Sequence, residues 1–236
     1  MHRIKRAIIM AAGTGSRMKP LTLTTPKPLV EVNGVRMIDT IIDALHENGI
    51  LEIYVVVGYL KEKFQMLREK YPSIRLIENP HYARCNNISS LYVAREYLGD
   101  CVILDGDQMI YRPEILRNGF HKSSYCCMWT EKETQEWLLE VQDDRVVRCS
   151  RTGGDRGWQL FSVSFWTAGD GERLRRHLER EFEERDNRGI YWDDIAMFCY
   201  PSEYDLGIRK IQEGDIVEID DVAGLAELDS AYQKYL

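Results

Sequence analysis

Residues 7–29 have the sequence AIIMAAGTGSRMKPLTLTTPKPL, which combines an apolar run with a segment rich in glycine and proline. The apolar run at 7–10 ends at a cluster of small residues that includes Gly13 and Gly15. Such a run is typical of a buried central strand that leads into a loop. Because small residues leave backbone N–H groups accessible, this loop can approach phosphate oxygens closely. The stretch therefore predicts a strand followed by an anion-binding loop.

Downstream of the loop, the apolar pattern alternates between helix and strand. Helical spacing between Met37 and Leu45 predicts a helix that ends at Gly49, and the β-branched run at 53–57 predicts the next strand. A helix at 61–70, a strand at 74–77, a helix at 88–98 and a strand at 102–104 follow. This alternation predicts an α/β fold of the Rossmann-like class, with a mostly parallel sheet flanked by helices.

The second half of the chain has strand patterns that are not separated by helices. These patterns occur at 125–130, 137–141, 145–149 and 160–166, and helical patterns follow at 174–182 and 222–235. We expect the strands to add antiparallel members to the sheet. Because the sequence contains neither a linker nor an internal repeat, one domain over 1–236 is the simplest expectation.

Composition and charge exclude several classes of protein. The 236 residues carry a formal net charge of −7, which argues against a broad basic surface for nucleic acid. The six cysteines form no C-x-x-C pair, so we expect reduced thiols rather than a zinc site. No segment reaches the roughly 20 apolar residues of a membrane span, and the first apolar run is too short for a signal peptide. We expect a soluble, cytoplasmic protein without membrane insertion, and the sequence indicates no oligomeric state.

Two permanent cations accompany the glycine loop. Arg17 lies two residues after Gly15, and Lys27 follows ten residues later, so both could meet one triphosphate from different sides. A G-x-G alone also fits a tight strand-to-helix turn. The loop has neither the Gly-Lys-Ser/Thr ending of Walker A nor the third glycine of dinucleotide-binding loops, so those two enzyme classes are disfavoured.

A pair of aspartates follows the predicted strand at 102–104. Asp105 and Asp107 lie beyond its carboxyl end, where open α/β sheets place their ligand crevice. Two carboxylates at that place suit a hard cation such as Mg²⁺, although solvated turn aspartates have the same spacing. The pair is therefore a candidate metal site.

The pattern from Gly13 to Lys27 resembles the signature G-x-G-x-R-x-x-P-L-T-x-x-x-P-K of the nucleotidyltransferases that activate sugar phosphates and phosphocholine. Further segments resemble the bacterial CTP:phosphocholine cytidylyltransferases, namely 54–62, HYARCNNISSLY at 81–92, LDGDQMI at 104–110, QEWLLEV at 135–141, SVSFW at 162–166, IYWDD at 190–194 and VEIDDV at 217–222. The resemblance covers nearly the whole chain. It implies magnesium-dependent transfer of CMP from CTP to phosphocholine, with a nucleotide-binding half at about 1–120 and an acceptor and metal half at about 121–236.

The resemblance also implies roles for residues of the first half. The expected triphosphate site comprises Ala11, Ala12, Gly13, Thr14, Gly15, Ser16 and Arg17. Arg17 and Lys27 are the expected catalytic residues, and Lys27 would neutralise the α-phosphate as it is attacked. Asn86, Asn87 and Asp105 are expected to contact the nucleotide, although a helix N-cap explains one asparagine equally well. The choice of cytosine over uracil comes from the resemblance alone.

The second implied metal ligand is a late aspartate. The resemblance implies that Asp220 joins Asp107 on Mg²⁺, but the adjacent Asp221 leaves the choice between the two open. Taken alone, an Asp-Asp pair at this place is more typical of a helix N-cap.

Aromatic residues of the second half are the expected acceptor site. Trp137, Tyr191 and Trp192 match the acceptor-binding region of the resembling enzymes, and Asp194 or Glu131 could supply countercharge. Aromatic faces and carboxylates suit a quaternary ammonium, which has no N–H to donate, although each tryptophan alone also fits a core position. A primary amine would use the same carboxylates, so phosphoethanolamine and 2-aminoethylphosphonate remain alternatives to phosphocholine.

Three other functions are less favoured. The resembling enzymes that act on sugar 1-phosphates usually carry an E-K-P-type segment after the strand-end aspartate. This segment is missing between 108 and 190. A glycosyltransferase could share the D-x-D aspartates, but the early Arg17 and Lys27 argue against it. A non-catalytic nucleotide-sensing module could keep the loop, but the retention of Asp107 and Asp220 together with both cations favours turnover.

Overall fold

A mixed sheet of nine strands forms the centre of the protein, in a computed structural model that describes all residues from 1 to 236. The strands of the protein are β1 (Arg6–Ala11), β2 (Glu31–Val32), β3 (Val35–Arg36), β4 (Glu52–Val57), β5 (Arg75–Glu78), β6 (Cys101–Asp105), β7 (Gln108–Ile110), β8 (Ser124–Thr130), β9 (Leu138–Gln142), β10 (Arg145–Ser150), β11 (Gly157–Trp166), β12 (Gly207–Lys210) and β13 (Ile216–Glu218). The α-helices are α1 (Met37–Glu47), α2 (Gln65–Lys70), α3 (Ile88–Val93), α4 (Ala168–Glu179) and α5 (Val222–Leu228).

The parallel part of the sheet creates the crevice for a ligand. Strand β1 pairs in parallel with β4 on one side and with β6 on the other, and β5 extends the sheet beyond β4. The chain therefore adds strands on one side of β1 and then returns to its other side. At such a reversal the carboxyl ends of the two strands, here β1 and β6, bound the crevice where α/β sheets bind ligands. The predicted Rossmann-like α/β class is confirmed.

The second half of the chain continues the same sheet with antiparallel strands. Strand β11 pairs antiparallel with β6, and both β8 and β9 pair antiparallel with β11. Strand β10 forms the edge beyond β9, whereas β12 pairs in parallel with β8. The predicted antiparallel additions are thus present, and they surround the β6 end of the crevice.

Apolar side chains cover both faces of the sheet. On one face, Ile38, Ile41 and Ile42 of α1 are completely buried, because their helical spacing directs them to the same side. On the opposite face, Leu91 of α3 and Leu174 of α4 are equally buried. None of the helices has the length and apolar character needed to cross a membrane.

Several elements differ from the sequence-based expectations at their ends. The helix expected at 222–235 ends at Leu228, because the extended Asp229 accepts a hydrogen bond from Ala231 N and starts a 3₁₀ helix at Ser230–Tyr235. The helix expected at 88–98 likewise ends at Val93 and continues as a 3₁₀ turn. Short polar side chains that bond nearby backbone compete with helix extension, as Asp229 does here.

Two short antiparallel strand pairs were not predicted. Strands β2 and β3 are joined by Asn33 and Gly34, both with positive φ, which is the Asn-Gly signal for a two-residue hairpin. Strands β7 and β13 pair antiparallel across more than 100 residues of chain, with Gln108 opposite Glu218. This second pairing positions the site, because Asp107 precedes β7 and Asp220 follows β13.

Candidate active site

Two adjoining cavities, of about 410 and 290 Å³, open at the carboxyl ends of β1 and β6. The larger, which we name the nucleotide cavity after the ligand predicted for its loop, is lined by Met10, Ala11, Ala12, Gly13, Thr14, Gly15, Ser16, Arg17, Lys27, Pro28, Asn86, Asn87, Ser90, Asp105, Asp107 and Asp220. The smaller, which we name the acceptor cavity after the ligand predicted for Trp137 and Tyr191, is lined by Arg17, Asn87, Asp105, Asp107, Glu136, Trp137, Leu160, Ser162, Tyr191, Asp193, Glu218 and Asp220. The two cavities share five residues, so ligands in them would meet at Arg17 and the aspartates.

The glycine loop is shaped by a close contact with the lysine segment. Gly15 has φ +59°, and a Cβ added there would lie 2.9 Å from both Lys27 Cβ and Thr22 Cγ2. The Thr22 hydroxyl donates to Gly15 O at 2.9 Å, which fixes the loop over this segment. Around Gly13, by contrast, an added Cβ would meet no atom within 4 Å. The loop is therefore held tightly at its second glycine and is open toward the cavity at its first.

Lys27 and Arg17 reach the acidic side of the crevice. The Lys27 ammonium lies 2.6 Å from Asp107 Oδ2 and 3.2 Å from Asp220 Oδ1, and the Arg17 guanidinium lies 2.6 Å from Asp220 Oδ1. Only 9% of the Lys27 side chain is exposed. Burial alone would lower the pKa of Lys27, but Asp107 and Asp220 outweigh it and raise the pKa above its ordinary value. Lys27 is thus a fixed positive charge at the junction of the cavities.

Three carboxylates converge beside Lys27. Oxygens of Asp107, Glu218 and Asp220 lie within 4.8 Å of one another. The buried Oδ1 of Asp107 has no hydrogen-bond partner, although buried polar atoms are nearly always paired. Hard divalent cations prefer such clustered carboxylate oxygens, so these residues fit a divalent metal. Enclosure in the cavity and repulsion by Asp107 and Asp220 raise the pKa of Glu218, as crowded carboxylates do.

The structure separates the two late aspartates. Asp220 belongs to the carboxylate cluster, whereas Asp221 Oδ1 accepts from Gly224 N at 2.8 Å and caps α5. The N-cap of the pair is thus Asp221, whereas Asp220 is the member that lies in the cavity. Glu218 was not predicted, but the E-x-D spacing of Glu218 and Asp220 repeats that of Asp105 and Asp107, and this repetition could have indicated it.

Asn86 and Asn87 line the nucleotide cavity, and their amides also tie α3 to a distant loop. Asn86 Nδ2 donates to Gly189 O at 3.2 Å, and Asn87 Oδ1 accepts from Trp192 N at 2.9 Å. The Asn87 side chain makes no capping bond to α3, so that alternative is wrong for Asn87. Contact of either asparagine with the base stays a prediction.

The acceptor cavity combines an aromatic corner with acidic groups. The rings of Trp137 and Tyr191 meet edge to face, with centroids 5.8 Å apart and an interplanar angle of 85°. Asp193 is buried, its Oδ1 has no hydrogen-bond partner, and burial raises its pKa to about 7. Burial and the charge of Asp107 also raise the pKa of Asp105. The cavity thus concentrates negative charge next to two aromatic faces.

A known protein family matches the part of the chain that contains most of these site residues. Residues 7–182 match the model of the MobA-like NTP transferase domain. The chain belongs to this nucleotidyltransferase family. The match covers the glycine loop, Lys27, both strand-end aspartates and the antiparallel strands, and it ends before Asp220.

Relatives of this nucleotidyltransferase cover nearly its whole length. It is 40% identical to the 2-aminoethylphosphonate cytidylyltransferase of Lancefieldella rimae, over 96% of this chain and 92% of the relative. It is 36% identical to the choline-phosphate cytidylyltransferase of Streptococcus pneumoniae, over 95% of this chain and 96% of the relative. A solved structure of the CTP:phosphocholine cytidylyltransferase from Streptococcus pneumoniae superposes with a TM-score of 0.89 at 35% identity, covering 96% of this chain and 98% of that chain.

Two residues expected at the acceptor site of this nucleotidyltransferase lie elsewhere. The Trp192 ring is 2% exposed and packs in the core against Tyr125 and Trp166. Glu131 does not line either cavity, and its carboxylate accepts from Trp129 Nε1 at 3.3 Å. Neither side chain lines a cavity, and a role for either residue in acceptor binding stays a prediction.

Asp194 also differs from its expected place. Its carboxylate is 2% exposed, lines neither cavity and pairs with Arg151 at 2.7 Å. The six acids of the acceptor cavity are instead Glu136, Asp193, Glu218 and Asp220, together with the strand-end aspartates Asp105 and Asp107. Glu136 and Asp193 were not predicted, although each is adjacent in sequence to a residue already associated with the acceptor. Adjacency to Trp137 or Trp192 was the available signal.

Proposed function

We propose that the protein is a Mg²⁺-dependent cytidylyltransferase that transfers CMP from CTP to phosphocholine, forming CDP-choline and pyrophosphate. The observation that carries the proposal is the charge of the acceptor cavity. Six of its twelve lining residues are carboxylates, and Arg17 is its one cation. Three of the six fit the metal, and the other three, Asp105, Glu136 and Asp193, remain to attract a cationic group. Such a cavity attracts a cationic group and disfavours an acceptor whose only charge is its phosphate.

The aromatic corner suits a quaternary ammonium. The perpendicular rings of Trp137 and Tyr191 offer two faces to one cationic group, and Asp193 adds a carboxylate to the same cavity. Methylated ammonium groups have no N–H donors, so ring faces and nearby negative charge are the means by which proteins bind them. Choline seated here would turn its phosphate toward the boundary with the nucleotide cavity, where Arg17 lies.

The proposed reaction is in-line attack of an acceptor phosphate oxygen on the α-phosphorus of CTP. Backbone N–H groups of the glycine loop and the Arg17 guanidinium hold the triphosphate. Lys27, fixed at the junction of the cavities, offsets the negative charge that develops at the α-phosphate. Mg²⁺ held by Asp107, Glu218 and Asp220 would supply further neutralisation of phosphate charge. Because a phosphate monoester is largely ionised near neutral pH, the attack needs neither a general base nor a covalent enzyme intermediate.

A second candidate acceptor is 2-aminoethylphosphonate. The buried Oδ1 of Asp193 lacks a partner, and a primary ammonium could donate a hydrogen bond to it whereas choline could not. The 40% identity to the cytidylyltransferase from Lancefieldella rimae supports the same candidate. Choice of cytosine is supported by both groups of relatives named above.

The test is pyrophosphate release with Mg²⁺, comparing CTP and UTP against phosphocholine, phosphoethanolamine, 2-aminoethylphosphonate and glucose 1-phosphate. The highest kcat/KM for CTP and phosphocholine is the expected result. Preference for an amine acceptor would move the assignment to the second candidate. Turnover of glucose 1-phosphate alone, or of no pair, would refute the proposal.

Two substitutions test whether the acceptor binds in this cavity. Trp137→Ala should raise KM for phosphocholine roughly tenfold or more, since a desolvated cation–π contact contributes about 2 kcal/mol. Trp129→Ala is the matched control, because Trp129 is half-exposed and lines neither cavity. Asp193→Asn should weaken a primary amine more than choline, and the reverse order would contradict the hydrogen bond assigned to Asp193.

A further inference from the structure

The aromatic corner of the acceptor cavity is carried by loops rather than by the sheet. Trp137 precedes the first residue of β9, and Tyr191 precedes a one-turn π-helical segment at Ile195–Cys199. Tyr191 is also 48% exposed, so the surrounding core does not hold its ring from all sides. Loop side chains that form a binding surface need contacts behind them to keep a fixed geometry.

Arg151 supplies contacts of this kind to both loops. Its guanidinium lies 3.9 Å from the ring centroid of Phe198 and 5.8 Å from that of Trp137. The Phe198 and Trp137 rings themselves meet edge to face at 5.7 Å. Arg151 also pairs with Asp194 at 2.7 Å. One side chain, located directly after β10, therefore joins the segment of Trp137 to the segment that carries Tyr191.

Asp194 transmits this contact to Tyr191. Its Oδ2 accepts from Tyr191 N at 3.0 Å, and its own N–H donates to Tyr191 O at 3.1 Å. Because Asp194 is almost fully buried, its carboxylate needs a cation, and Arg151 is its one ion-pair partner within 4.0 Å. The same pairing neutralises a positive charge that stands behind the Trp137 ring.

We propose that Arg151 and Asp194 form a clamp that sets the position of Trp137 and Tyr191 and thereby determines recognition of a cationic acceptor. Neither residue lines a cavity, so both are positioning residues that act through the two rings. The proposal rests on the proposed function for the identity of the acceptor. Its structural part, the placement of the rings, can be tested separately.

Substitution of Arg151 and substitution of Asp194 should have different effects on KM for the acceptor. Arg151→Gln loosens the rings and removes a cation, and we expect KM for phosphocholine to rise about tenfold with kcat and KM for CTP within about twofold. Asp194→Asn leaves the Arg151 cation unpaired behind Trp137, which repels the acceptor cation, so its KM should rise further. Adding Arg151→Gln to Asp194→Asn should then lower KM toward that of Arg151→Gln alone. A purely structural role would instead make the double variant at least as defective as each single one.

The control variant is Arg148→Gln, since Arg148 is an exposed arginine of β10, the strand directly before Arg151, and has no ion pair within 4.0 Å. A second readout uses 5-fluorotryptophan protein, in which the ¹⁹F resonance of Trp137 is identified by its loss in Trp137→Phe. Arg151→Gln should shift this resonance, and Arg148→Gln should leave it in place. Because this spectrum needs no turnover, it distinguishes failure of the clamp from failure of the proposed function. An unshifted resonance together with an unchanged KM for phosphocholine in Arg151→Gln would overturn the clamp.

Discussion

Replacing Lys27 by methionine is the most informative perturbation of the reaction. Methionine keeps an unbranched apolar stem in this buried position but removes the ammonium that lies between Asp107 and Asp220. Loss of one preorganised group that stabilises transition-state charge typically costs about 2.7–4 kcal/mol, or roughly 100- to 1,000-fold in kcat. We expect Lys27→Met to fall in this range, because Arg17 contacts Asp220 from the exposed side and does not replace Lys27.

The same substitution should strengthen metal binding. In the free protein Lys27 bonds two of the three carboxylates that fit the metal, so the ammonium and Mg²⁺ compete for them. A hydrogen bond to a charged group contributes about 1.5–3 kcal/mol, which would correspond to roughly 10- to 100-fold. Asp107 and Asp220 are 24% and 32% exposed, so solvent screening favours the lower end, roughly tenfold tighter binding.

Both quantities are directly measurable. Pyrophosphate release gives kcat, and calorimetric titration of nucleotide-free protein gives the affinity for Mg²⁺. Lys61→Met is the matched control, because Lys61 is an exposed lysine that pairs with Glu78 outside both cavities. A kcat within about tenfold of the parent protein would exclude Lys27 from charge stabilisation. Weaker Mg²⁺ binding in Lys27→Met would refute the competition.

Three further predictions concern the metal, the loop and pH. Asp107→Asn should weaken Mg²⁺ binding and slow turnover, and a magnesium titration identical to that of the parent protein would remove Asp107 from the metal site. Gly15→Ala should lower the free energy of unfolding in urea by about 1–3 kcal/mol, because it strains a positive φ and places Cβ against Thr22, whereas Gly13→Ala should have little effect on stability. Asp193, with a pKa near 7, is mostly neutral at pH 6 and ionised at pH 8. KM for a cationic acceptor should therefore fall by up to about tenfold over that range, and Asp193→Asn should flatten the difference. The raised pKa of Asp193 also affects the stability of the free protein, but in the opposite direction with pH. Because the folded state binds the proton of Asp193 more tightly than the unfolded state does, this group stabilises the fold below about pH 4, and the stabilisation is lost as pH rises to about 7.

The parallel core and one side of the crevice could be predicted from local sequence patterns. The apolar run before Gly13, the alternation of helices and strands, and the aspartates after the strand at 102–104 are local patterns. Backbone sterics and the two periods of secondary structure make such patterns interpretable without knowledge of distant residues. Since parallel strands present their carboxyl ends at one edge of a sheet, the predicted parallel sheet places the loop at the same edge as Asp105 and Asp107.

Which aromatic side chains line the cavity depends on long-range packing. Tyr191 and Trp192 are adjacent and both aromatic, yet one lines the cavity and the other packs in the core. Burial of each depends on strands and helices far away in the chain, so no local pattern distinguishes them. The same holds for the junction of Lys27 with Asp220, residues separated by 193 positions, which exists because β7 and β13 pair across the sequence. Local sequence patterns thus indicate which groups can bind phosphate. Long-range packing determines which side chains can neutralise the charge of an acceptor.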